Sequence, residues 1–175
     1  MSRLSRRSVW IAAIALMISA GGAVALPLLT KAQIAKASQK IEACLQKQSN
    51  APGGTGDSRK CIGWIKSDCD DKISAGGEAA HATCSDNETA AWDVLLNKAW
   101  SEMPADLGPE RFAVMKDIQK QWLAYRDAKC AFLDDLSRPR PWGIMLEADC
   151  RMDETSRRAI ELRDILADPH IGLPE

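Results

Sequence analysis

QWLAYRDAKC, residues 121–130, is the most informative stretch of this sequence. Trp122 and Tyr125 lie at helical spacing, and Cys130 follows two turns after Trp122, so we expect one helix face to present both rings and the thiol. Cys150 comes twenty residues after Cys130 and begins a run whose apolar residues recur every three or four positions. The pattern predicts two antiparallel helices closed by a disulfide.

The rest of the sequence has the same helical character. No stretch combines strict alternation with β-branched enrichment, as strands do. Apolar residues recur at helical spacing in five segments, which are residues 29–47, 59–72, 85–103, 109–136 and 150–167. The expected fold is therefore all-α, a small disulfide-stapled bundle of about five helices.

Turn-forming residues separate the predicted helices. Residues 49–58 form a turn by composition, Pro104 to Gly108 predicts a tight connection, and the prolines of 138–143 cannot continue a helix. Ser85 and Glu88 have capping-box spacing, which predicts the start of the third helix. Four tryptophans on apolar stripes are expected in the core, namely Trp64, Trp92, Trp100 and Trp122.

The N-terminus has the composition of an export signal. Three arginines precede an apolar run over residues 9–20, and small residues at 23–25 suit a signal peptidase. The apolar run extends to residue 29, which is long enough for a single anchor in the inner membrane. Residues 1–25 are thus expected to be a signal peptide or a membrane anchor. In both cases the helical domain, residues 29–170, is periplasmic or secreted.

Net charge narrows the class of partner. Removal of residues 1–25 takes away three positive charges and no negative ones, so the formal charge changes from −1 to −4. A mildly acidic domain is a poor match for nucleic acid and a suitable one for a cationic protein.

Cysteine usage also points to export. The six cysteines form an even set that predicts three disulfides in an oxidising compartment. If residues 59–72 are helical, Cys61 and Cys69 lie about 12 Å apart, too far for a bridge. Among the remaining pairings we prefer sequence neighbours, each worth about 3 kcal/mol in the chain-entropy model. These pairs are Cys44 with Cys61, Cys69 with Cys84, and Cys130 with Cys150.

Residues that could support catalysis are scarce. The only histidines are His81 and His170, and no serine or cysteine beside either has a nucleophile context. A metal site built on His81 and Cys84 would lack paired C-x-x-C spacing, so a disulfide is the better expectation for Cys84. We therefore expect no enzyme activity, no cofactor and no metal.

Two further groups of residues, one near the predicted disulfide and one in the proline-bound loop, have different expected roles. Arg126, Asp127 and Arg158 lie near the proposed disulfide and are expected to tie helix ends or a neighbouring loop together. Trp142 follows Arg138 and Arg140 in a proline-bound loop. It could anchor a partner or pack as a lid over the helix pair, so these three residues are the candidate partner-binding group.

The chain resembles the lysozyme inhibitor LprI-like domain family over roughly residues 40–167. The likeness rests on Cys84 followed by ETAAWDVLLNKAW, then QWLAYRDAKC, then Cys150 followed by Thr155, Arg158 and Leu162. The W-x-x-Y-R-D-x-x-C string is the most specific element, and CIGWIKSDC resembles a subgroup with additional cysteines. The resemblance implies a helical fold and a Cys130–Cys150 bridge. It also implies a scaffold role for the motif residues Trp122, Tyr125, Arg126, Asp127, Thr155 and Arg158.

The family's name comes from an inhibitor of lysozyme, which gives the functional expectation. We expect an exported, non-enzymatic binding protein whose partner is lysozyme or another cell-envelope protein, with the Arg138–Trp142 loop obstructing a carboxylate-lined cleft. The alternative is a structural or assembly component of the bacterial cell envelope, anchored through residues 9–29.

Overall fold

A computed structural model describes residues 27–73, 76–138, 140 and 142–168. The signal or anchor segment expected at residues 1–25 lies outside the described residues, as does His170. No helix among the described residues has the length and apolar character needed to cross a membrane.

The described residues fold into helices and contain no strand, which confirms the all-α prediction. The four helices are α1 (Lys31–Ser49), α2 (Trp64–Asp70), α3 (Gly77–Ser137) and α4 (Gly143–Ala167). Two short 3-10 turns, Pro52–Gly54 and Ser58–Cys61, connect α1 to α2. α1 begins where Thr30 and Gln33 form a reciprocal capping box, which satisfies backbone donors at the helix start.

α3 folds back on itself at Gly108. This glycine is non-helical, with φ 71° and ψ 171°, and the rings of Trp100 and Phe112 on its two sides lie 5.1 Å apart. A continuous helix would separate residues twelve positions apart by about 18 Å. α3 therefore consists of a first arm, residues 77–107, and a second arm, residues 109–137. Counting each arm separately gives the five helical segments predicted.

Three predicted boundaries were wrong. The connection expected at 104–108 is helical through Pro104 and breaks only at Gly108, whose φ of 71° and ψ of 171° lie outside the helical region. The helix expected at 59–72 is interrupted by Gly63, which has a left-handed φ of 87°. α4 begins at Gly143, seven residues before the predicted start at Cys150.

The capping box predicted from Ser85 and Glu88 was also wrong. α3 begins at Gly77, so both residues lie inside the helix. The Ser85 hydroxyl donates to Asp149 on α4, and the Glu88 carboxylate accepts backbone hydrogen bonds at the start of α2. Both side chains therefore form contacts between helices, and their three-residue spacing does not mark the start of a helix.

The core lies between α1, the first arm and α4. Trp92 is fully buried at its centre, whereas Trp100 and Trp122 pack against its edge. The prediction of a core Trp64 was wrong, because this residue is half exposed at the start of the short helix α2, which packs through Ile65 instead. The buried apolar side chains include Ile41 and Leu45 of α1, Leu96 and Met103 of the first arm, and Leu162 of α4.

Three disulfides fasten the helices together. They join Cys44 to Cys61, Cys69 to Cys84, and Cys130 to Cys150, which confirms the pairing of sequence neighbours. The described cysteines include no free thiol. Because disulfides persist mainly in oxidising compartments, this framework is typical of an exported protein.

Candidate functional site

The Cys130–Cys150 disulfide joins the second arm to α4. Its Cα atoms lie 5.4 Å apart and both side chains are buried. The second arm and α4 therefore form a covalently closed helical hairpin, and residues 138–142 connect its two helices. This hairpin is the pair of antiparallel helices expected from QWLAYRDAKC.

Arg158 is buried inside the hairpin. Its side chain is only 4% exposed, and Nε donates to Gln119 Oε1 at 2.8 Å. Nη1 forms an ion pair with Glu161 at 2.9 Å, and the guanidinium carbon lies 5.8 Å from the centre of the Trp122 ring. Burial of an arginine is costly unless its donors are satisfied, so these contacts give Arg158 a role in joining the two helices.

Arg126 forms a second contact between the helices. Its guanidinium lies 5.0 Å from the Trp122 ring centre and donates to the buried hydroxyl of Thr155 at 3.4 Å. Asp127 accepts from Arg126 at 2.9 Å and from Arg151 of α4 at 3.1 Å. The polar part of the sequence motif thus lies along the hairpin seam.

Tyr125 does not contribute to that seam. The expectation that it packs beside Trp122 was wrong, because its side chain is 56% exposed and contacts only Lys129, at 5.6 Å from the ring centre, among the ring contacts described. Three residues of α-helix rotate the side chain by about 300°, which leaves Tyr125 about 60° from Trp122 on the helix surface. That rotation is enough to move it from the seam to solvent.

We call the end of the hairpin the tip and define it as Phe132, Leu136, Arg138, Arg140, Trp142 and Ile144. All six residues are exposed. The exposed fraction is 63% for Leu136 and 39% for Trp142. Four large apolar side chains therefore face solvent within the last turns of α3 and the first turn of α4, together with two arginines.

Local contacts order the tip. Arg138 forms an ion pair with Asp134 at 2.7 Å, and the guanidinium of Arg140 lies 5.0 Å from the Trp142 ring centre. Gly143 starts α4 so close to the second arm that an added Cβ would lie 2.5 Å from Asp134 Oδ1. A larger residue would have to displace the Asp134 side chain and would lie 3.0 Å from its carbonyl oxygen, so glycine lets α4 approach α3 immediately after the connection.

The hairpin and the tip both lie within the region that matches a known family. The model of the family described as lysozyme inhibitor LprI matches residues 69–162, which is more than half of the chain. The chain belongs to the LprI family. No curated protein and no solved structure matches it. The matched region covers the second and third disulfides, both arms of α3 and most of α4, whereas α1 precedes it.

A polar cluster lies beside the Cys69–Cys84 disulfide in this LprI-family domain. His81 Nδ1 lies 2.8 Å from Asp70 Oδ1, and Lys66 Nζ lies 2.6 Å from Asp70 Oδ2. Burial alone would raise the pKa of Asp70, but hydrogen bonds to Lys66 and His81 outweigh it and hold that pKa below its ordinary value.

The cluster has no metal-binding geometry. The disulfide expected for Cys84 is present, because its sulfur is bonded to Cys69, and His81 is paired with Asp70. Within the described residues, no group of three or more His, Cys, Asp or Glu side chains could hold a metal ion. Ser85 is buried, and its hydroxyl lies within hydrogen-bonding distance of Asp149 and of the His81 carbonyl, whereas the His81 ring is paired with Asp70.

Sequence reasoning missed several members of the tip. Phe132 and Leu136 lie in the helix predicted over residues 109–136, and neither they nor Ile144 were recognised as surface residues, although all three are exposed. The four-residue spacing of Phe132 and Leu136 does indicate that both side chains lie on one helix face. Sequence alone does not show whether such a face is covered.

Proposed function

We propose that this protein is an exported, non-enzymatic inhibitor that binds lysozyme through the tip of its helical hairpin. The observation that supports the proposal is the exposed apolar and arginine-bearing tip inside the region that matches the LprI family. Large exposed apolar side chains that cluster at one end of a small domain are typical of a protein-binding surface.

The shape of the hairpin suits a concave partner. Ser137 lies seven positions after Cys130 in the same helix, so the tip extends about 10 Å beyond the disulfide. The disulfide and the seam around Arg158 limit the motion of the two helices, which lowers the entropy lost on binding. A narrow, ordered projection of this kind can enter a substrate cleft.

The chemistry of the tip suits a lysozyme cleft. Tryptophan and arginine are the residue types that most often dominate binding energy at protein interfaces. Lysozyme cleaves glycosidic bonds with two carboxyl groups in its cleft, and Arg138 and Arg140 can pair with such acids. The domain's formal charge of −4 without residues 1–25 favours encounter with a cationic enzyme.

Inhibition of cell-wall lysis tests the proposal. The protein should slow the clearing of a bacterial cell suspension by lysozyme at stoichiometric amounts. A Leu136→Ser, Trp142→Ala double variant should raise the concentration needed for half-inhibition at least about tenfold, since loss of one or more hot-spot contacts costs 2 kcal/mol or more.

A matched control separates the tip from general surface effects. Val94 is an exposed apolar residue on the first arm, outside the tip, so Val94→Ser should inhibit as well as the unchanged protein. Absence of inhibition at large molar excess would refute the function. Inhibition that survives in the double variant would refute the tip as its surface.

A further inference from the structure

α1 is a basic helix on an acidic protein. It has four lysines and one glutamate, a formal charge of +3, whereas residues 50–168 have 16 basic and 22 acidic side chains, a formal charge of −6. The single glutamate, Glu42, is neutralised by an ion pair with Lys98 of α3. α1 therefore has a net positive charge, whereas the rest of the domain has a net negative charge.

The lysines of α1 are available to a partner. Lys31, Lys36, Lys40 and Lys47 are all exposed, and the described structure shows no ion pair between any of them and a carboxylate. Lys36, Lys40 and Lys47 follow one another at four- and seven-residue spacing, which places them along one side of the helix. The positive charges of these three lysines therefore lie on one side of α1.

An apolar groove runs beside these lysines. It lies between α1 and α2 and has a volume of about 340 Å³. Leu29, Ala37, Ile65 and Ile73 provide its apolar lining. Its rim includes Lys36, Lys40, Lys72 and one carboxylate, Asp68, which forms an ion pair with Lys72 at 3.0 Å. Lys36 and Lys40 therefore give the rim a net positive charge. The half-exposed Trp64 lines an adjoining depression together with Lys40 and Ile65.

This combination matches the surface of an anionic membrane. Lysines next to a bilayer bind acidic phospholipid headgroups, and tryptophan is favoured at the boundary between headgroups and acyl chains. The apolar N-terminal run precedes α1, and Leu29, at its end, packs against the domain core, so retention of the preceding apolar residues in a bilayer would hold α1 close to the lipid surface.

We propose that the α1 surface, defined by Lys36, Lys40, Lys47 and Trp64, docks on anionic phospholipid. Its function is to hold the domain against the membrane while the tip, at the α3–α4 connection, stays free. α1 and Trp64 precede residues 69–162, so this surface is an addition to the part of the chain that matches the LprI family.

Vesicle binding tests the proposal, with the exported protein used in the form recovered from cells. It should sediment with vesicles of phosphatidylcholine mixed with phosphatidylglycerol, should bind pure phosphatidylcholine weakly, and should dissociate in high sodium chloride. A Lys36→Gln, Lys40→Gln double variant should bind the acidic vesicles about 10- to 30-fold more weakly, as expected for two lysines at such a surface.

A double variant with the same charge change provides the control. Lys116 and Lys120 are exposed, four residues apart and on the second arm, so Lys116→Gln with Lys120→Gln should leave vesicle binding nearly unchanged. Equal losses in both double variants would show that only net charge matters and would overturn the proposal. Equal binding to acidic and neutral vesicles, or no binding to either, would also overturn it.

Discussion

Glu88, buried in the middle of the first arm, accepts the backbone N–H of Gly63 at 2.6 Å and so connects α3 to the start of α2. The same carboxylate accepts the backbone N–H of Lys66 at 2.7 Å and the indole N–H of Trp92 at 2.9 Å. One side chain thereby satisfies two backbone donors at the N-terminus of α2 and orients the central tryptophan of the core.

Replacement of Glu88 by alanine should destabilise the protein by about 3 kcal/mol, because several buried donors lose their acceptor at once. Urea unfolding with the disulfides intact measures this change. Glu102→Ala, at an exposed position of the same helix, should change the free energy of unfolding by about 0.5 kcal/mol or less. Equal effects of the two substitutions would contradict the assigned role of Glu88.

Asp70 should make stability depend on acid pH. Its pKa is lower in the folded protein than its ordinary value of 3.8, so its stabilising contribution is present above about pH 4 and disappears as the pH falls through the folded pKa. The difference in unfolding free energy between the unchanged protein and Asp70→Asn should therefore shrink below about pH 4. Asp71→Asn, at the exposed neighbouring position, is the control. A difference for Asp70→Asn that stays undiminished in strong acid would count against the ion pairs.

The reversal of α3 depends on Gly108. A φ of 71° with ψ 171° is accessible almost only to glycine, so Gly108→Ala should destabilise the protein by about 1–3 kcal/mol although no atom lies within 4 Å of the added Cβ. Thermal unfolding monitored by circular dichroism measures the loss. If α3 were one continuous helix, Gly108→Ala would instead stabilise the protein by about 1 kcal/mol. A stabilised variant would therefore show that the two arms do not fold back on each other.

Arg157 and Arg158 form a matched pair on α4. Arg158 is buried against Gln119 and Trp122, so Arg158→Ala should cost about 2–3 kcal/mol through an unpaired amide oxygen and lost packing. Arg157 is exposed and pairs only with Asp153 among the described contacts, so Arg157→Ala should cost about 0.5 kcal/mol or less. Denaturant unfolding of both variants compares them directly, and similar losses would contradict the inter-helix role of Arg158.

The sequence predicts those features of the fold that depend on local patterns. The helical spacing of apolar residues around Trp92 and Cys130 predicts helices there. Pairing each cysteine with its neighbour in the sequence predicts all three disulfides. These signals suffice for fold class because each is repeated over many residues and because no competing strand pattern is present.

Features that depend on packing between distant segments were not predictable in the same way. Ser85 and Glu88 have the spacing of a capping box, but the chain before them is also helical, and their side chains bond to α4 and α2. Trp64 and Tyr125 lie on apolar stripes, yet each is at least half exposed among the described residues. An apolar stripe shows which side of a helix can be buried, but it does not show how far the neighbouring helix extends along that side.

The candidate site was predictable only in part. Arg138, Arg140 and Trp142 drew attention because prolines end the helices around them, and the structure places them at the tip of the hairpin. Leu136 was not recognised because it fits the end of the predicted helix over residues 109–136, and Ile144 was not recognised because it precedes the predicted start of the last helix at Cys150. Both residues are exposed because the hairpin extends beyond Cys130, and no local sequence pattern predicts the length of that extension.

Calorimetric titration of lysozyme with this protein tests the central claim most directly, with and without a saturating N-acetylglucosamine oligosaccharide in the enzyme's cleft. Our account predicts a saturable one-to-one complex whose apparent affinity falls when the oligosaccharide is present, because the tip and the sugar compete for one site. Absence of a complex, or a complex whose affinity is the same with the cleft filled, would contradict it.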